Sequence, residues 1–213
     1  MRIVAVTDIH GNNKAVKRLV EGIKETPDAI LIAGDITHFS DSKSAENVLA
    51  PLLDTGIRIV AVHGNCDGKD VPELLERLGI SAHNRRVQIN GMGVVGIGGS
   101  NITPFHTIWE LEEDEIARVL ERNYQEGDVI LSHVPPHHTC ADLTHSGLHV
   151  GSRALKEFIM KRAPSLVVVG HIHEARCIER IGRTTVVNPG PLFRGYYAEI
   201  EVGKRISVTL WEL

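Results

Sequence analysis

The 213-residue sequence is 42% hydrophobic and 23% charged, with no repeat and no polar Gly/Pro-rich linker, so a single compact domain spanning 1–213 is expected and a two-domain layout is not. Its formal charge of −4 leaves no broad basic surface for a nucleic-acid backbone, and no stretch approaches the ~18 apolar residues of a membrane span. Cys66, Cys140 and Cys177 are odd in number, far apart and without a C-x-x-C pair, so no disulfide is expected and a reducing cytoplasm fits best.

In chain order, short β-branched apolar runs alternate with segments of helical period, the pattern of an α/β domain with buried strands. Ile3 to Thr7 precedes a helix at about Asn12 to Lys24, and Ala29 to Ala33 precedes one at about Ser42 to Asp54. Ile57 to His63 leads to a helix at about Val71 to Leu78, and Val87 to Ile97 reads as a hairpin turning at Asn90-Gly91. A helix at about Glu112 to Asn123 precedes Val129 to Leu131, and one at about Ser152 to Arg162 precedes Leu166 to Val169. The tail from Ala175 to Leu213 reads as all strand, with turns at Gly182 and Asn188-Pro189-Gly190. Two packed sheets with helices outside follow from that mixture.

The five central runs share a feature at their carboxyl ends. They close in Asp8-Ile9-His10, Gly34-Asp35, Gly64-Asn65-Cys66-Asp67, Ser132-His133 and Gly170-His171-Ile172-His173. Ligands of open α/β sheets bind at that edge, so these residues are expected to converge. Side chains at i and i+2 of an extended chain point the same way, which pairs Asp8 with His10 and His171 with His173. The glycines at 34, 64 and 170 allow close backbone approach. Twelve histidines against only 4% aromatic residues fit a metal protein. Carboxylate, imidazole and amide oxygen suit manganese, iron, zinc, cobalt or nickel. The seven donors Asp8, His10, Asp35, Asn65, His133, His171 and His173 exceed what one ion needs and suit two, with Asp35 bridging.

These clusters, in the order D-x-H, GD, GNCD, H and GH-x-H from Asp8 to His173, resemble the calcineurin-like metallophosphoesterase superfamily. The length and the GNCD form look closest to its small archaeal and bacterial phosphodiesterases. The resemblance implies a four-layer α/β/β/α sandwich of two mixed sheets. It also implies one ion on Asp8, His10, Asp35 and His173, and another on Asp35, Asn65, His133 and His171. Cys66 stands where the family has the histidine that protonates the leaving group, and Ile36-Thr37-His38 replaces the continuation of the protein phosphatases. Asp67 reads as a residue orienting its neighbours, beside Asn65 and Cys66 in the catalytic segment.

The implied activity is hydrolysis of a small phosphoester, a diester in the first instance, by a metal-bridging hydroxide. Manganese is the first choice of ion. A phosphomonoesterase or nucleotidase on the same site is the alternative reading, and a non-catalytic scaffold is a third. No membrane or nucleic-acid partner is expected, and homo-oligomerisation is left open. The long segment Val134 to Gly151 carries His137, His138, His145 and His149, of which His137 and His149 are the substrate-binding candidates. Ser100 to Glu110, with His106 and Trp109, is a second rim candidate, the alternative being that Phe105 and Trp109 simply pack against the neighbouring helix.

Overall fold

The computed structural model describes residues 1–213. Strands β1 (Arg2–Val6), β2 (Ala29–Ala33) and β3 (Ile59–Val62) run parallel, because each is apolar on both faces and is covered on both. The remaining strands in chain order are β4 (Arg86–Ile89), β5 (Met92–Ile97), β6 (Ser100–Asn101), β7 (Glu110–Leu111), β8 (Val129–Ser132) and β9 (Leu166–Val168). The tail supplies β10 (Cys177–Ile181), β11 (Thr184–Asn188), β12 (Tyr196–Val202) and β13 (Ile206–Glu212). One mixed sheet has the order β13-β12-β1-β2-β3, and the other β10-β11-β9-β8-β5-β4.

Three apolar clusters define the layers. The outward residues Val4, Val6, Ile30 and Ile32 of the first sheet pack under α1 (Asn13–Gly22), α2 (Ser42–Leu53) and α3 (Val71–Arg77). The alternate residues Ile3, Ala5, Leu31 and Val60 face Val94, Leu131, Val168 and Val187 of the second sheet. That sheet's other face, with Ile97, Ile130 and Val167, packs on α4 (Glu113–Asn123) and α5 (Arg153–Arg162). The period of two along each strand thus builds the four-layer α/β/β/α sandwich. Side chains of Asn12, Asp41 and Ser152 cap α1, α2 and α5 by accepting from Ala15, Ser44 and Leu155.

Each expected helix is present within two residues at either end. The hairpin forms at Asn90 and Gly91, both at positive φ (47° and 86°), as a two-residue turn matched to strand twist requires. The tail departs from its all-strand expectation at Leu192–Arg194, a short 3-10 turn. The segment from 100 to 111 closes on itself through the parallel pair β6 and β7. No helix is long and apolar enough to cross a membrane.

The cysteine expectation is overturned. Cys140 and Cys177 form a disulfide with Cα atoms 6.2 Å apart, and only Cys66 is free. Cys140 opens a 3-10 turn, Cys140–Asp142, that packs on β10, so a pair 37 residues apart in sequence meets through tertiary packing that spacing alone does not report. An odd count is compatible with one bridge and one thiol, and the cytoplasmic reading loses the support it drew from the cysteines.

Candidate metal centre

The carboxyl ends of β1, β2 and β3 from one sheet and β8 and β9 from the other meet at one edge, so the site lies between two sheets and not at the mouth of one. Asp8, His10 and His173 form one group whose ligand atoms lie within 4.8 Å of one another, and Asp8, Asp35 and His133 form a second. Asp35 reaches both sides. Its Oδ2 lies 3.6 Å from His10 Nε2 and its Oδ1 lies 3.6 Å from His133 Nε2. Asn65 Oδ1 is 2.8 Å from His133 Nε2, and the ring of His171 packs edge-on against that of His133 at 5.1 Å.

The backbone is bent to achieve this. Asp8, His10, Asp35 and His171 all sit at positive φ (49°, 46°, 50° and 70°), where a non-glycine residue costs on the order of 1–3 kcal/mol. Hydrogen bonds from Ile9 and His10 N–H to the Asp35 carbonyl (2.8 and 2.9 Å) hold the first two turns together. A Cβ on Gly34 would stand 2.5 Å from His133 Nδ1, and one on Gly64 would collide with the Asp35 carboxylate, so both positions need glycine for close approach.

Electrostatics and hydrogen-bond direction together favour cations here. Asp8 Oδ1 is buried with no hydrogen-bond partner. Burial pushes the Asp35 carboxyl above its ordinary range, the Asp8 and Asp67 carboxylates adding to the effect and His133 opposing it. Burial, then neighbouring His133, brings His171 down to about 3. Burial also lowers His10 to about 4 against the pull of Asp8, so both imidazoles are neutral bases near pH 7. His10 Nε2 and His173 Nε2 face each other at 3.0 Å. Strained, buried, lone-pair-bearing oxygen and nitrogen donors of this kind fit divalent transition metals.

The other expected site residues fall in distinct places. Asp67 is fully buried and accepts from the N–H groups of Gly64 (2.8 Å), Ile36 (3.2 Å) and Thr37 (2.7 Å) and from the Thr37 hydroxyl (2.9 Å). It ties the loop after β2 to the loop after β3. Cys66 donates its N–H to Asp35 Oδ1 at 2.8 Å, and its thiol, half-buried beside Asn65, is pushed up by burial and then by the Asp35 carboxylate. His149 Nδ1 is 2.6 Å from the buried Asp142, and His137 Nδ1 is 3.3 Å from the other oxygen of the same carboxylate.

Two clefts meet over the centre. One of about 770 Å³ is lined by His10, Asp35, His38, Phe39, Cys66 and Phe193. The other, of about 620 Å³, is lined by His137, His149, Arg153 and Glu174, and both share Phe105, His171 and His173. Phe105 is 82% exposed at this junction, which disfavours the packing alternative for it, and Trp109 turns inward against His63, edge-on at 5.0 Å. Sequence reasoning missed Phe193, whose ring contacts His10 and His173 at 5.5 and 5.2 Å. Its only signal was the Asn188-Pro189-Gly190 turn, where Asn188 Nδ2 donates to the Ile172 carbonyl at 3.0 Å and steadies the histidine segment.

Residues 1–175 match the family model described as calcineurin-like phosphoesterase. An uncharacterized protein of Methanocaldococcus jannaschii is 37% identical over 197 residues, covering 90% of this chain and 88% of its own. The solved structure of TT1561 from Thermus thermophilus superposes with a TM-score of 0.80 at 19% identity over 99% of this chain and 98% of that one. A dimetal phosphatase of Danio rerio superposes with a TM-score of 0.70 at 14% identity over 100% and 96%. At such identities the two structures establish the sandwich fold alone.

Proposed function

From the premise that the chain belongs to the calcineurin-like phosphoesterase family, whose members are metal-dependent phosphoesterases, we propose that it hydrolyses phosphodiesters at a dinuclear centre. Asp8, His10, Asp35 and His173 would hold one ion, and Asp35, Asn65, His133 and His171 the other, with manganese preferred over iron, nickel, zinc or cobalt. Two such ions supply charge for the phosphoryl oxygens and an acidified water as nucleophile.

The chain's own residues contribute position and shape. Asp67 holds the turns after β2 and β3 in register, which places Asp35 and Asn65 together. Phe39, Phe105 and Phe193 form an apolar wall in the larger cleft, where an organic substituent can lie away from water. In the smaller cleft Arg153, a fixed cation, and His149 offer polar contacts to a second substituent, with His137 beside them.

The observation that carries the diester reading is that both clefts share His171 and His173. A phosphate held there has room for an arm on each side, and a monoester would use only one. The test is steady-state hydrolysis by manganese-reconstituted protein of bis-4-nitrophenyl phosphate, 4-nitrophenyl phosphate, and 2′,3′- and 3′,5′-cyclic nucleotides. The diesters are expected to exceed the monoester in kcat/KM by about tenfold or more, the discrimination an unfilled subsite typically gives. A preference for the monoester would replace this reading with a phosphatase or nucleotidase.

A further inference from the structure

The rim segment from 102 to 111 enters the centre through Asn65. The N–H groups of Ile108 and Trp109 both donate to the Asn65 backbone carbonyl, at 3.1 and 3.3 Å, so the segment is registered on that residue. The side chains continue the connection. Asn65 Nδ2 is 3.1 Å from Thr107 Oγ1, and Thr107 Oγ1 is 2.7 Å from Glu110 Oε1. The same carboxylate oxygen accepts from the Thr103 hydroxyl at 2.6 Å and from the Thr107 N–H at 2.8 Å.

The direction of the bonds from Glu110 to Asn65 follows from the acceptor at their end. Burial alone would raise the Glu110 carboxyl, but the hydrogen bonds from Thr103 and Thr107 outweigh it and bring it down to about 2, so it is ionised and only accepts. The Thr107 hydroxyl must therefore spend its proton on Glu110, which leaves it only lone pairs for Asn65. Asn65 must answer with its NH₂ group, and its carbonyl oxygen is turned toward His133. On the far side, His133 Nδ1 lies 2.7 Å from the Ala33 carbonyl, another pure acceptor, so in the neutral ring, the form that binds a metal, that nitrogen carries the proton and Nε2 presents a lone pair.

Two acceptors, Asn65 Oδ1 and His133 Nε2, thus face each other at 2.8 Å. Left to itself, the amide would turn over and donate to the imidazole, which would satisfy both groups and close the site. We propose that Thr107 and Glu110 are positioning residues that hold Asn65 carbonyl-first, so that it and His133 can share a divalent cation. The proposal rests on the dinuclear reading and adds to it the device that selects one face of the amide. Outer hydrogen bonds to metal-binding groups are typically worth about 10- to 100-fold in affinity.

Calorimetric titration of the metal-stripped chain with Mn²⁺ tests this, using wild type, Thr107→Val, Thr107→Ser and Glu110→Ala. Wild type is expected to bind two ions. Thr107→Val keeps the shape and the backbone N–H but loses the lone pair, so one of the two sites should weaken by about 10- to 100-fold while the other is unchanged. Thr107→Ser should restore it, and Glu110→Ala, which leaves Thr107 free to reverse its hydroxyl, should weaken the same site. The melting temperature of the stripped valine variant should stay close to wild type, because the freed amide can pair with His133. Should that variant not fold, the comparison of Glu110→Ala with Thr107→Ser decides. Wild-type affinity at both sites in Thr107→Val, or in Glu110→Ala where the valine variant is lost, would overturn the relay while leaving the dinuclear reading intact. Fewer than two bound ions in wild type would overturn both.

Discussion

His149 Nδ1 stands 2.6 Å from Asp142 Oδ1, and Asp142 is wholly buried. Its oxygens also accept from the N–H groups of Thr139 (2.9 Å), His138 (3.1 Å) and Gly151 (3.0 Å). Burial alone would raise this carboxyl, but those bonds hold it below the usual carboxylate range. A carboxylate so fixed accepts from Nδ1–H, and in the imidazolium form of the ring, which lines the smaller cleft, Nε2 carries the second proton, the one available to a leaving group. We expect His149 to serve the departing arm of the substrate. Proton donation is worth about 10²- to 10⁴-fold for a poor leaving group and little for a good one. The slope of log(kcat/KM) against leaving-group pKa should therefore become steeper in His149→Ala, measured over a series of aryl and alkyl diesters. Parallel lines for variant and wild type would reduce His149 to a binding contact.

Asp35 has one oxygen toward His10 and the other toward His133, so it belongs to both halves of the proposed centre. Asp35→Asn should lower turnover of an activated diester by about a thousandfold, the several kcal/mol that metal assistance supplies. His137→Ala and His149→Ala should each cost far less with that substrate. Metal content measured by mass spectrometry should fall for the Asp35 variant alone. A larger loss from either loop histidine would mean that the centre has been placed on the wrong residues.

Much of the convergence at this proposed centre was legible because buried parallel strands write themselves as apolar runs, and their carboxyl ends are where an α/β chain puts its ligands. Asp8, His10, Asp35, His133 and His171 could be read that way, and Asn90-Gly91 announced its hairpin. Other features depend on contacts between distant segments. Thr107 and Glu110 lie in the segment read only as a rim, and their link to His133 runs through Asn65, which is 42 residues from Thr107 in sequence. Phe193 comes from a tail whose strands give no sign that their connection crosses the site. The positive φ of Asp8, His10, Asp35 and His171 was also invisible, since none is glycine and local preference argues against that conformation.

The Cys140–Cys177 bridge fastens the turn that carries Asp142 to β10, and Glu179 of β10 also accepts from the Cys140 N–H at 2.5 Å. Closing a loop across 37 residues is worth about 4 kcal/mol in the chain-entropy picture. Reductant, or Cys177→Ser, should lower the melting temperature by several degrees in a scanning calorimeter. Cys66→Ser should not reproduce the shift. An unchanged transition after verified reduction would show that packing on β10 suffices without the bond.

Cys66 is the residue at which the chain departs from the family pattern, and its contacts suggest a structural part. The backbone N–H donates to Asp35 Oδ1 at 2.8 Å and the backbone carbonyl accepts from Phe39 at 2.7 Å, and neither bond uses the side chain. The thiol lies 3.5 Å from Asn65 Nδ2, a weak second acceptor for an amide already held by Thr107. Removing sulfur should therefore leave Asp35 and Asn65 where they are. Cys66→Ala should retain most hydrolysis of bis-4-nitrophenyl phosphate, whose leaving group departs as a stable anion and needs no proton. Cys66→His should improve substrates with alkoxide leaving groups, because an imidazole at this lip of the larger cleft can donate a proton where the thiol does not. Steady-state rates on metal-saturated protein with both kinds of leaving group check the pair. A loss of a hundredfold or so in the alanine variant on the activated diester, at unchanged metal occupancy, would assign the thiol a chemical role of the size usual for a proton donor.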